Sequence, residues 1–333
     1  MSTQLATTLV PVAPGPPEPS PSVDPSPPAA TRAGRRRQRR PDAPPPVQPR
    51  PPRPPAPDWA AVTVAALTVL ALLAGWFGLQ VVAFGGLSEV RAQQVLHADL
   101  REQLAAQTAP TGGVVDPGVP VALLSIPTLG LQQVVVEGTS SGDLMSGPGH
   151  RRDTVLPGQA GVSIVYGRAV AYGAPFRAVP DLREGDGITV TTAQGEFVYR
   201  VDRVRREGDP LPPAPADGGG RLTLVTAEGV GALAAISPTT TVYVDATLVG
   251  DAATGPAGRP AAVPESEKAF GRDGSVLPVL ALRLQALLLA VCGAVVLRRR
   301  LPARATWVIA APVLVALTWL VTDAAVQLLP NLL

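Results

Sequence analysis

The chain has 333 residues, a formal net charge of only +2, one cysteine and two histidines. A lone cysteine, Cys292, excludes an internal disulfide and two-cysteine redox chemistry. The scarcity of histidine, His97 and His150 alone, removes most zinc sites and most histidine-based catalysis, so neither a metal nor a cofactor is expected.

Residues 1–58 are rich in proline, with runs at Pro44-Pro45-Pro46 and Pro51-Pro52, and carry clustered arginines from Arg32 to Arg53. This composition buries too little apolar surface to fold, so a disordered tail is expected. Its arginines suit solvated disorder or anionic lipid headgroups, at about 1 kcal/mol per basic residue near the surface. Its proline runs could present a polyproline ligand, and nothing in it requires nucleic acid. Residues 59–84 are uncharged and dominated by Ala, Val and Leu, long enough as a helix to cross about 30 Å of hydrocarbon. The long basic leader and the absence of a small-x-small site favour a retained anchor over a cleaved signal.

Over 88–107, Ser88 as N-cap and Leu96, Leu100 and Leu104 at four-residue spacing predict a stalk helix. Residues 108–120, with Gly112-Gly113, Pro117 and Pro120, are a linker. Seven strand signals follow, at Val121–Ile126, Gln133–Val136, Gly161–Tyr166, Ile188–Thr192, Glu196–Val204, Leu222–Thr226 and Thr241–Leu248. Short β-rich runs separated by Gly and Pro predict a mainly β domain over 121–249, a closed barrel or a sandwich. Gly208–Gly220 reads as a flexible loop and 250–276 as a linker, flexible from Gly250 to Arg272.

Two further apolar runs, 277–297 and 305–329, are separated by Arg298-Arg299-Arg300 and Arg304 and predict a transmembrane hairpin. Both basic clusters lie inside only if the chain crosses three times, with a cytoplasmic N-terminus and the β-domain outside the cell. Arg283 and Asp323 fall at matching depth on the two hairpin helices and are expected to face each other as an ion pair.

One ordered set of motifs is specific. Leu124-Ser125-Ile126-Pro127, Gly147-Pro148-Gly149-His150, Leu156-Pro157-Gly158, Tyr172-Gly173-Ala174-Pro175-Phe176, Gly185-Asp186 and Leu222-Thr223-Leu224-Val225-Thr226 occur in sequence across 121–249. Together they resemble the core of a sortase, nearest the class E type of actinobacteria. The resemblance implies a sortase-type eight-stranded β-barrel, here flanked by transmembrane helices. The abundance of Ala, Gly, Pro and Arg, with Lys268 the one lysine, suits a high-GC actinobacterial genome.

Sortases are cysteine transpeptidases in which a thiolate attacks a peptide carbonyl, a histidine acts as acid to the leaving amine and an arginine steadies the oxyanion. Matching the motifs residue by residue puts Arg168 at the histidine position and Ala227 at the cysteine position. Counting back from Ala246-Thr247-Leu248 puts Thr241, less securely Thr240, at the arginine position. The resemblance thus implies no catalytic residues and a binding cleft made from Arg168, Thr226, Ala227, Glu228 and Thr241. An ion pair of Glu228 with Arg168 is the first expectation, and a free Arg168 gripping a ligand carboxylate or phosphate the second. His150 reads as structural or surface, and Asp186 as a turn residue. The functional expectation is a pseudo-sortase that binds an envelope peptide, a cell-wall component, a sortase or a sortase substrate, besides membrane lipids. The competing expectation is a cysteine-independent transpeptidase or hydrolase of cell-surface proteins using Thr226, Glu228 or His150; a third is a plain spacer.

Overall fold

The computed structural model describes residues 58–229 and 240–333. The tail expected over 1–58 lies, but for Asp58, outside them. Eight strands close into one barrel: β1 (Pro120–Ile126), β2 (Leu131–Glu137), β3 (Gly149–His150), β4 (Gly161–Tyr166), β5 (Gly187–Thr192), β6 (Gly195–Arg206), β7 (Gly220–Glu228) and β8 (Thr240–Val249). Around the barrel the order is β1-β2-β3-β4-β7-β8-β6-β5. The pairs β2/β3 and β4/β7 run parallel. Inward residues such as Leu124, Ile126, Val165, Ile188, Leu222 and Leu224 form the main core. Burying each such aliphatic side chain contributes about 1.5–3 kcal/mol.

The expected anchor and stalk are one helical run. Helix α1 (Asp58–Leu79) passes through a π-turn at Gln80–Phe84 into α2 (Gly85–Ala105) without a break. Ser88 therefore lies inside a helix and caps nothing, because the backbone N–H groups that follow it are already bonded to carbonyls of the preceding turn. At the π-turn the helix meets the barrel: Val81 packs in one cluster with Ala171, Tyr172 and Val326. The ring of Phe84 stands edge-on to Trp319 at 5.4 Å.

Helix α2 is fastened to the barrel by Gln93. Strand β3 is only two residues long, so it leaves most of β2 without a partner on that side. The Gln93 side chain fills the gap: its Oε1 accepts from the Val134 N–H at 2.7 Å, and its Nε2 donates to the Val134 carbonyl at 3.1 Å and the Ser146 carbonyl at 2.8 Å. Gln93→Leu strands a buried main-chain donor and is expected to cost about 1–3 kcal/mol. Thermal unfolding of the variant checks this, and a melting midpoint equal to the parent's would show that water replaces the amide.

The stretch expected as a flexible linker, Gly250–Arg272, is instead a strap laid on the barrel. Ala253 bridges to Gln159, its N–H donating to the Gly158 carbonyl at 2.8 Å and its carbonyl accepting from Ala160 N–H at 3.1 Å. Val263 and Glu267 are buried, and Thr139 Oγ1 donates to the Glu267 carbonyl at 2.7 Å. Arg152 reaches both Glu267 oxygens. Polar, proline-containing composition suggested freedom; complementary charges on the barrel remove it.

Helices α3 (Leu277–Arg300) and α4 (Ala303–Val326) are each long and apolar enough to cross a membrane by length and composition. The expected ion pair between them does not form. Arg283 Nη1 donates to the Leu320 carbonyl at 2.7 Å, and no salt bridge joins Arg283 to Asp323 among the described residues. A long side chain reaching a carbonyl one turn away satisfies the guanidinium without the carboxylate.

Candidate functional site

The ends of three neighbouring strands bring the sequence-selected residues to one region. β4 and β7 are parallel with Tyr166 beside Val225, and the Gly167 N–H donates to the Val225 carbonyl at 3.0 Å, so the chain leaving β4 runs alongside the end of β7. β8 then returns antiparallel, with Ala227 opposite Thr241 and Glu228 opposite Thr240. Gly167 has a specific task here, because a Cβ on it would collide with the ring of Phe176. The loop that follows is strained: Tyr172 and Ala174 hold φ of 49° and 46°, a left-handed region that residues with a Cβ adopt at a cost.

Arg168 is fully buried, at 0% exposure. Its Nη2 donates to the Ser141 carbonyl at 2.9 Å and to Ser141 Oγ at 2.7 Å, and its guanidinium lies 5.3 Å from the centre of the Tyr172 ring. Nε and Nη1 have no partner among the described residues. No carboxylate pairs with it there, and burial pulls its pKa down to about 10, with Tyr172 acting the other way. The expected pair with Glu228 is absent. Glu228 instead accepts from the exposed Arg206 Nε at 2.8 Å, across β8, because β8 pairs with both β7 and β6 and the antiparallel β6/β8 ladder carries Arg206 to that end.

Alternation along β7 separates two other residues that were grouped together. Val225 and Ala227 face one apolar cluster with Tyr166 and Ala169, whereas Leu222 and Leu224 face the barrel core. Thr226 shares the latter parity, and is buried with its Oγ1 unpartnered among the described residues. It is a residue of the barrel interior, removed from the groove face by the two-residue period of a strand. Ala227 and Thr241, buried at 4% and 3%, do lie side by side.

His150 is not at this site. It is buried with Nδ1 2.9 Å from Glu137 Oε2 and Nε2 2.8 Å from the Val155 carbonyl, a structural residue of the β2/β3 edge. Asp186 accepts from the Arg183 N–H at 2.8 Å, the turn role expected of it.

Back along the same strands a groove of about 450 Å³ opens over the outer face of β4, β7 and β8. Tyr166, Val225 and Tyr243 contribute to its floor and the loop carrying Leu211 and Pro212 its wall. Arg205 stacks over Tyr243 at 4.0 Å and pairs with Asp245 at 2.6 Å, and Asp245 also accepts from Thr223 Oγ1 at 2.8 Å. The sequence reading missed Tyr166, Tyr243, Arg205 and Asp245. Outward parity along the strands was the available signal, yet partnership across β6, β7 and β8 requires the strand order. No group of His, Cys, Asp and Glu able to hold a metal occurs among the described residues.

Residues 124–247 match the family model for the sortase domain. Sortase D of Bacillus subtilis (strain 168) is 30% identical over 83 residues, a match covering 25% of this chain and 40% of that protein. Among solved structures, a Clostridium perfringens sortase D5 transpeptidase is 21% identical with a TM-score of 0.39, covering 49% of this chain and 99% of that one. Sortase E from Streptomyces avermitilis is 27% identical with a TM-score of 0.33, covering 46% of this chain and 100% of that one.

Proposed function

We propose that this chain is a membrane-anchored, class E-like pseudo-sortase of an actinobacterial cell envelope, which binds through its groove and does not catalyse. The observation that carries the reading is the trio at the strand ends: a methyl group at Ala227, a threonine opposite it, and an arginine buried in the loop that leaves β4 alongside β7 and held there by Ser141. Transpeptidation needs a nucleophile, an acid for the leaving amine and a donor for the oxyanion. Alanine supplies no nucleophile, and a guanidinium hardly exchanges its proton near neutral pH. The groove beside the trio keeps a tyrosine-lined floor and a mixed-charge rim, which suits an extended peptide from the envelope, from a sortase or from a sortase substrate.

In this reading α1, α3 and α4 all cross the membrane, with the arginines of residues 1–58 and of Arg298-Arg299-Arg300 in the cytoplasm and the barrel outside. The contact of the π-turn and the end of α4 with the same barrel loop supports it, since both then leave the membrane on one side.

The test is a mass-spectrometric assay of peptide cleavage and amine transfer by the full chain in detergent. The expected rate is that of buffer. Turnover above buffer would instead favour the cysteine-independent transpeptidase or hydrolase. No binding to any envelope-derived peptide would leave only the spacer.

A further inference from the structure

We propose that Pro330–Leu333 is an internal occupant of the groove end, covering Ala227, and that an incoming peptide must displace it. This deepens the reading of the groove as a peptide-binding site and rests on it. The segment follows α4, whose apolar length ends at Val326, yet Asn331 and Leu332 are fully buried, at 0% exposure. Leu332 shares one apolar cluster with Leu144, Tyr166, Ala169, Val225 and Ala227. Two of these, Tyr166 and Val225, are also floor residues of the groove, so the segment and the open groove are continuous.

The main chain is gripped as well. The Ala169 N–H donates to the Leu332 carbonyl at 3.1 Å, and the Ala171 N–H to the Leu333 carbonyl at 3.3 Å, both from the strained loop that carries Arg168. On the other side Asn331 Nδ2 donates to the carbonyls of Ser266 and Lys268, each at 2.7 Å, and the Asn331 N–H donates to the Gly271 carbonyl at 3.2 Å. The segment is therefore clamped between the strap and the Arg168 loop. Its fit is incomplete, for Asn331 Oδ1 is buried without a partner among the described residues. A leucine in an apolar pocket and backbone carbonyls on two amides are contacts that another extended peptide with a leucine-like side chain can reproduce.

The experiment places a thiol under the segment. In a full chain carrying Cys292→Ala and Ala227→Cys, the rate of alkylation by a small maleimide is measured in detergent, well below the melting midpoint recorded for each variant. The comparison is with the same chain ending at Leu329 and with the milder Leu332→Ser. If the open form is populated at about 10% or less, removing the segment accelerates alkylation about tenfold or more. Equal rates in all three folded chains would overturn the proposal, and Leu332→Ser decides it if the shortened chain fails to fold. Synthetic Leu-Pro-Asn-Leu-Leu is then added to the shortened chain. Renewed protection supports both readings, whereas acceleration without protection by peptide keeps the internal occupant and removes the peptide-binding reading.

Discussion

Glu137→Ala is expected to lower the stability of the folded chain by about 3–5 kcal/mol, the cost of leaving the largely buried Arg259 guanidinium and the buried His150 ring without their acceptor. Both carboxylate oxygens of Glu137 are used: Oε2 with His150 Nδ1 at 2.9 Å and Oε1 with Arg259 Nη1 at 2.7 Å. Glu137 and His150 are buried at 1% and 0%, so solvent cannot replace the lost partner. Arg259 belongs to the strap, and its Nη1 also donates to the Arg152 carbonyl at 3.3 Å; the substitution therefore loosens the strap together with the β2/β3 edge. For a domain of this size the loss corresponds to about 10 °C in melting midpoint.

Acid should reproduce part of the effect. Burial alone would raise the Glu137 carboxyl, but the hydrogen bond and charge of His150, then Arg259, outweigh it and hold the group below its ordinary 4.5. A carboxyl depressed in the folded state contributes stability that is complete above the unfolded value and is lost as pH falls through the folded one. The melting midpoint of the parent should thus drop more steeply below about pH 4.5 than that of Glu137→Gln. Neighbouring Asp143, raised by burial, acts with the opposite sign in both proteins and cancels in the comparison. Parallel curves for parent and Glu137→Gln would show that the carboxylate contributes nothing.

The second large effect has the opposite direction: Arg168→Met is expected to stabilise the fold. The Arg168 cation is buried with no carboxylate paired to it among the described residues, and its pKa falls well below the ordinary guanidinium value, to about 10, because burial disfavours the charge. At about 1.4 kcal/mol per unit, holding that charge costs about 3 kcal/mol at neutral pH. Methionine keeps the length and apolar stem, loses two hydrogen bonds to Ser141 and removes the charge. A net gain of about 1–3 kcal/mol follows, on the scale seen when buried ionic groups give way to apolar ones. Arg168→Ala, which leaves a cavity, should gain less or lose. A lower melting midpoint for Arg168→Met than for the parent would mean that the guanidinium is compensated by contacts other than those to Ser141 and Tyr172. A residue that costs stability where an apolar one would serve better points to a use other than folding.

Several features were legible in the sequence because they repeat along it. Apolar runs of membrane length, the seven short β-rich runs between Gly and Pro, and the ordered motifs from Leu124 to Thr226 are local patterns, and burial acts on them wherever the chain goes. The two-residue period of a strand was enough to separate Thr226 from Ala227, and grouping them ignored it. Two-residue β3 had no period to detect, so an eighth strand came only from the resemblance. The strap's freedom, the partner of Glu228, the burial of Arg168, the Gln93 side chain standing in for a strand and the seat of Leu332 were all decided by tertiary structure. Each depends on groups tens to more than a hundred residues apart in the chain, as with Glu137 and Arg259 or Ala169 and Leu332. Composition fixes which side chains must leave water. Only the closed order of the strands fixes which of them meet when they do.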